Sequence, residues 1–257
     1  MDGAWKILVT WLLLAFLAVA NGLLRESMLK PRLGERYAHV VSTLILSALL
    51  IWVSFLSRSW LGIESLVDAW SVGTIWLCAT LAFEFLAGHY VFKNAWSKIL
   101  ADYKVTKGRV WILTLFSVLF GPPLAHRGLD SVYVVPYGVS LAIAVTLLLL
   151  ALDRPQVVRW ALVAIFAYAG VYNSWLGSTH PEEYTDFARF ALIPWYSQFI
   201  QTTFATNAML IIVAIAAGQL LTALALAVGG SFIPLGTVGV VCFLIAIAPL
   251  GIGSAFP

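Results

Sequence analysis

The chain has 257 residues, of which 61% are apolar and only 11% charged, with a formal net charge of +3. A soluble domain carries about 45–50% apolar and about 25% charged residues. The composition excludes a water-soluble globular protein and a nucleic-acid binder, and it describes a chain whose solvent is mostly lipid.

Apolar runs of about 17–25 residues read as spanning helices, and eight fit: 5–24, 38–57, 69–92, 109–125, 131–152, 157–176, 207–228 and 235–256. The first opens at Lys6 and contains Ala18-Val19-Ala20, which together imitate a cleavable secretory signal. Four basic residues follow soon after, so the run is read as a retained helix. At its end Asn21 and Arg25 are spaced i, i+4 and share a face.

The third run carries Glu84, nine residues before Lys93 and so about 13 Å below the membrane surface. A charge at that depth costs roughly 2.5–3.5 kcal/mol on insertion scales. His89 lies nearer the surface, about 140° around the same helix. Pro122 and Pro123 cut the fourth run short, and Pro249 interrupts the eighth.

Between the third and fourth runs, Trp96, Ile99, Leu100 and Tyr103 recur at helical spacing, Lys98, Asp102 and Lys104 fall mainly elsewhere, and Gly108 is placed to stop the helix. This reads as a short interfacial helix anchored by aromatics and lysines, with docking of a soluble partner as the alternative. The longest connection, 177–206, is too apolar for a free linker. Ser178 or Thr179 can cap a helix starting at Pro181, with Glu182 and Glu183 in its first turn and a break at Pro194. Two short helices are expected there, either on the outer interface or as a lid over the bundle.

The charges orient the chain. One side carries Arg25, Lys30, Arg32, Arg36, Lys93, Lys98, Lys104, Lys107, Arg109, Arg154 and Arg159; the other carries Lys6, Arg58, Arg127 and Arg189. Lys- and Arg-rich short loops stay cytoplasmic, which places the N-terminus outside.

The candidate intramembrane polar site consists of Glu84, Arg25, Glu26, Asn21, His89 and Gln219. Arg25 is expected to reach inward to Glu84, with Glu26 or the lysines balancing the remainder. A pair of this kind can lock two helices together, or serve as a proton or cation site. Gln219 is expected to hydrogen-bond to a neighbouring helix, and Asn173 and Asn207 are further polar residues in or beside helices. His39, His126 and His180 scatter over both sides, and only His39 with His89 could meet as cofactor ligands. No nucleophile elbow, zinc-protease, phosphate-loop or dinucleotide motif occurs. Cys78 and Cys242 sit in apolar runs and read as small hydrophobes. Neither a cofactor nor a metal is expected.

Two resemblances follow from these residues. Asn21-Gly22-Leu23-Leu24-Arg25-Glu26, Phe83-Glu84-Phe85 and Gly108-Arg109-Val110-Trp111 resemble a group of uncharacterised four-helix bacterial membrane proteins over roughly residues 5–125. More loosely, 159–257 is similar to the DoxX-like superfamily, on Gly170-Val171-Tyr172-Asn173 as a helix-ending corner and on Gln219. The second resemblance implies a further bundle and, in some members, association with quinone redox complexes; this chain has one helix fewer after the outer loop.

The expectation is therefore an all-α, polytopic transmembrane bundle of about eight helices with short interfacial helices. It divides into an N-terminal four-helix bundle, 1–128, and a C-terminal DoxX-like bundle, 129–257. The expected setting is a bacterial inner membrane. The expected role is a non-enzymatic or accessory subunit, whose partners are the lipid bilayer and other membrane subunits. The alternatives are a small transporter or proton-coupled permeation unit using Glu84 and Arg25, and a DoxX-like redox partner.

Overall fold

The computed structural model describes residues 3–91, 93, 95–103, 110–128 and 131–254, without a strand among them. The chain divides into two compact units, Met1–Gly128 and Leu129–Pro257.

The first unit opens with α1 (Ala4–Leu24), a π-helical turn (Arg25–Leu29) and α2 (Lys30–Leu61) in unbroken succession. The reversal comes at Gly34, whose φ of 76° and ψ of 169° are open to glycine and costly for other residues. The result is an antiparallel hairpin, shown by Trp5 at the start of α1 meeting Trp60 at the end of α2, ring centroids 5.6 Å apart. Gly62, at φ 67°, ends α2. A capping box starts α3 (Leu66–Ala82): Asp68 N donates to Ser65 Oγ at 3.1 Å, and Ser65 N donates to Asp68 Oδ2 at 2.9 Å.

A π-helical stretch (Phe83–Val91) continues α3, and α4 (Trp96–Ile99) passes into a 3₁₀ turn (Leu100–Tyr103) before α5 (Ile112–Arg127). Trp76 Nε1 donates to the Ile7 carbonyl and Trp11 Nε1 to Thr80 Oγ1, both at 3.2 Å, so α1 and α3 run parallel with a constant offset of 69. Arg58 donates to the Ala125 carbonyl at 3.3 Å, which sets α2 alongside α5. The four long helices thus alternate in direction around a core of Leu14, Leu46, Leu50, Val72, Trp76 and Val118.

Pro122 and Pro123 do not cut α5 short. Both are buried within it, and the helix continues to Arg127. Pro123 cannot donate to the Leu119 carbonyl, and α3 packs against that same group through Gly73, where a Cβ would overlap the oxygen.

The second unit comprises α6 (Ser131–Ala151), α7 (Pro155–Thr179), a 3₁₀ stretch (Pro181–Phe190), α8 (Pro194–Phe199) with a π turn (Ile200–Phe204), α9 (Ala208–Val228) and α10 (Ile233–Ile247) leading into a 3₁₀ end (Ala248–Ser254). Phe166, Ala223, Leu226 and Val240 join α7, α9 and α10. Ser178 and Thr179 are not caps, because α7 runs through them and their hydroxyls donate back to the carbonyls of Ser174 and Trp175. Gly170–Asn173 likewise lies inside α7 rather than at a corner.

Six helical stretches among the described residues are long and apolar enough to cross a membrane: Ala4–Leu61, Leu66–Val91, Tyr133–Ala151, Pro155–Thr179, Ala208–Val228 and Gly230–Ser254. The first contains two of the eight apolar runs, because the chain stays helical between them. The fourth run forms α5, of 16 residues. Length and composition are those of a multi-pass membrane protein.

Candidate functional site

A cavity of about 370 Å³ lies within the first unit. Its longest wall is α1, from which Trp11, Leu14, Ala15, Ala18, Val19, Gly22 and Arg25 line it. These positions trace one helical face over four turns. In a packed bundle that face would interdigitate with its neighbours. Here Leu14 is packed in the core with Trp11 and Ala18 against it, and the remainder of the face borders open volume.

The opposite walls supply the polarity: Thr80, Glu84, His39, Trp111 and Thr114 all line the cavity. The π turns after α3, with their i→i+5 hydrogen bonds, aim residues four apart to either side. Glu84 and Gly88 line the cavity, while Phe85 and His89 face α4.

Glu84 Oε2 accepts two hydrogen bonds, from the Tyr103 hydroxyl at 2.6 Å and from Trp111 Nε1 at 3.0 Å. Bonds from polar donors to a carboxylate are among the stronger ones. The expected contact between Glu84 and Arg25 does not form. With an offset of 69 between α1 and α3, Glu84 stands level with Ala15, ten residues or about 15 Å from Arg25. Arg25 instead meets Glu26 at 3.3 Å, and Lys30 meets Glu26 and Glu35, both at 3.1 Å, in an exposed, alternating chain. Glu26 is thus engaged by its own helix. Asn21 Oδ1 is buried without a hydrogen-bond partner among the described residues, and Asn21 is not part of the lining.

The segment Trp96–Tyr103 covers one end of this site. Phe85 stacks between Trp96 and Tyr103, with centroids at 6.2 and 5.8 Å, and His89 stacks on Trp96 at 4.2 Å. Ile99 is buried, lines the cavity and contacts Gly88, whereas Trp96 and Leu100 are exposed. Of the anticipated apolar face, Trp96, Ile99 and Tyr103 turn to the bundle and Leu100 turns away, where the helix tightens to 3₁₀ and the period changes. Lys104 and Gly108 lie outside the described residues, as do the side chains of Lys98 and Asp102.

His39 is 4% exposed, and its Nε2 accepts from the Val110 N–H at 3.3 Å, which leaves the ring proton on Nδ1. Thr114 is 2% exposed, and its Oγ1 has no hydrogen-bond partner among the described residues. His39 and His89 belong to different parts of the site, one bonded to Val110 and the other stacked on Trp96. Among the described residues no cluster of three or more His, Cys, Asp or Glu could hold a metal.

The second unit has a separate polar chain. Tyr184 donates to Asn173 Oδ1 at 2.6 Å, and Asn173 Nδ2 donates to Gln219 Oε1 at 2.8 Å. Gln219, 3% exposed on α9, is thereby joined through α7 to the Pro181–Phe190 segment. Burial, with Tyr172 and Glu183 beside it, pushes the Tyr184 hydroxyl up to about 12.

Tyr103, Trp111 and Thr114 are functional candidates that reading the sequence alone passes over. Tyr103 and Trp111 are aromatics with a polar tip, flanking a basic loop, and that class of residue also supplies interfacial anchors. Comparison with family models, curated proteins and solved structures returns no match.

Proposed function

We propose that this is a non-enzymatic, multi-pass component of a bacterial inner membrane whose N-terminal unit binds a small amphipathic molecule beside Glu84. The observation that carries this reading is the inward face of α1 bordering 370 Å³ of open volume. Its walls combine an apolar helix face with polar groups at Thr80, Glu84 and Trp111, which suits a ligand with an apolar body and a polar end. The volume also lies within the range of small-molecule sites, at its lower end.

In this reading the N-terminus is outside. Eleven Lys and Arg on one side against four on the other support that orientation. The Arg25 and Trp96–Tyr103 end of the cavity then meets the cytoplasmic interface. Eight crossings follow if α5, reinforced by its contacts with α2 and α3, spans a locally thinned bilayer. The DoxX-like kinship of the C-terminal unit remains a proposal resting on its sequence motifs.

A structure determined from crystals grown in lipid tests the reading directly. Non-protein density along α1 beside Glu84 is the expected result. A collapsed cavity, with Ala15 and Ala18 packed on α5, would overturn it.

A second reading makes Glu84 a clamp in an accessory subunit. It draws on the two donors, Tyr103 and Trp111, that tie three segments to one carboxylate. Ala18→Phe separates the two: it evicts a ligand under the first reading and only fills a void under the second.

A further inference from the structure

We infer that the occupant is an amphipathic organic cation, an amine or quaternary ammonium whose charge sits between Glu84 and the rings of Trp11, Phe83 and Trp111. This rests on the cavity being a binding site, and it names the chemistry that the site selects.

Three aromatic residues and one carboxylate line the same stretch of the cavity. Trp111 Nε1 donates to Glu84 Oε2 at 3.0 Å, and Trp11 Nε1 donates to Thr80 Oγ1 at 3.2 Å. Phe83 meets Trp11 edge to face, with ring centroids 6.1 Å apart. Glu84 follows Phe83 directly and stands four residues, or about 6 Å, beyond the level of Trp11 and Thr80. The carboxylate and the three rings are thus gathered within about one helical turn.

An indole has one donor and no acceptor. Both indoles spend that donor on the wall of the cavity. What Trp11 and Trp111 can still offer an occupant is ring surface, whose negative face attracts cations, and Phe83 offers the same. Glu84 adds a carboxylate with about four lone-pair sites, of which Tyr103 and Trp111 take two.

Among the described lining residues, no positive charge stands at this level. Arg25 lies about 15 Å away and meets Glu26. His39 Nε2 accepts from the Val110 N–H, so that ring is neutral. An anion entering here would face a carboxylate and π surfaces of its own sign. A cation would be paired as it enters, which offsets the penalty of burying a charge. Its apolar body has Ala15, Ala18 and Val19 of α1 to lie along, with Leu50 and Val118 also in the lining.

The test compares octylammonium, octanol and octanoate, which share one body and differ in charge. Each is titrated calorimetrically into the full chain in phosphatidylcholine nanodiscs, with protein-free nanodiscs as the blank. Octylammonium should bind once per chain, at least tenfold more tightly than octanol or octanoate. Glu84→Gln keeps an acceptor for Tyr103 and Trp111 and should bring octylammonium to within threefold of octanol. Phe83→Leu should weaken octylammonium three- to tenfold and leave octanol unchanged. The charge series on the wild type decides the matter even if a variant fails to fold. Octanol or octanoate binding as tightly as octylammonium, or a folded Glu84→Gln that binds octylammonium like the wild type, would overturn the cation while leaving the binding site standing. Absence of saturable binding by all three would overturn both.

Discussion

Gly73 of α3 lies against the carbonyl oxygen of Leu119 in α5, so closely that a Cβ at residue 73 would overlap it. That carbonyl is the one that Pro123 leaves without its helical donor. The close approach and the proline pair thus belong together, since a bulkier residue at 73 would push α3 off the very turn that the prolines loosen.

Gly73→Val is accordingly expected to destabilise the first unit by about 1–3 kcal/mol, the range for overpacking a filled interface. Thermal melting in detergent, compared with Gly22→Ala, checks this. Gly22 has open space around its Cβ position, so its substitution should cost far less. Equal melting temperatures for wild type and Gly73→Val would contradict the contact.

Tyr103→Phe removes the hydroxyl that donates to Glu84 and keeps the ring that stacks on Phe85. Hydrogen bonds to charged groups contribute about 1.5–3 kcal/mol. Hydrogen–deuterium exchange across Trp96–Tyr103 should rise by at least tenfold, while exchange in α9 stays unchanged. Unaltered protection would mean that stacking alone holds the segment.

The apolar runs of the bundle were legible from hydropathy, and the partner of Glu84 was not, for a physical reason. A run of apolar residues declares itself because lipid imposes one composition along its whole length. The partner of one carboxylate depends on the register between helices, which here is set by two tryptophan hydrogen bonds that no periodicity encodes. Charge alone points to Arg25, which lies ten residues too far along α1. Pro122 and Pro123 looked like a stop for a similar reason: their compensation lies in α3, fifty residues earlier in the chain.

In the second unit the Tyr184–Asn173–Gln219 chain should couple α7, α9 and the outer segment. Interhelical polar bonds in membranes average about 0.6 kcal/mol and reach about 1.7. A double-mutant cycle between Asn173→Leu and Gln219→Leu should therefore return a coupling of that size. Strictly additive effects would show that the bond contributes nothing net.

The same chain predicts a pH dependence. The Tyr184 hydroxyl is pushed up to about 12, chiefly by burial, from an ordinary value near 10. A raised value means that the folded state holds the proton longer than the unfolded state. The stability this contributes is whole below about pH 10 and is lost as pH rises towards 12. Tyr184→Phe should flatten that part of the stability profile, measured by unfolding between pH 9 and 11.5. A profile unchanged by the substitution would refute the assignment.

Orientation is accessible to labelling. In a background with Cys78→Ser and Cys242→Ser, Glu64→Cys should react with an impermeant maleimide on intact cells. Ser27→Cys should react only after the membrane is opened. The reverse pattern would invert the topology.

The tethers of α1 have a mechanical consequence. Among the described residues, every ring contact and side-chain hydrogen bond that joins α1 to another helix falls between Trp5 and Trp11. Beyond them, about 20 Å of the rod carries none, and its inner side borders the cavity. The two ends of α1 are thus held by different means: the Trp5–Trp11 end by directed bonds and ring contacts, the other by the apolar packing of Leu14 and Ala18 and by its helical continuation into α2. Directed contacts fix a register that apolar packing alone leaves free to slide, so the depth of α1 against α3 is set at one end and inherited by the other.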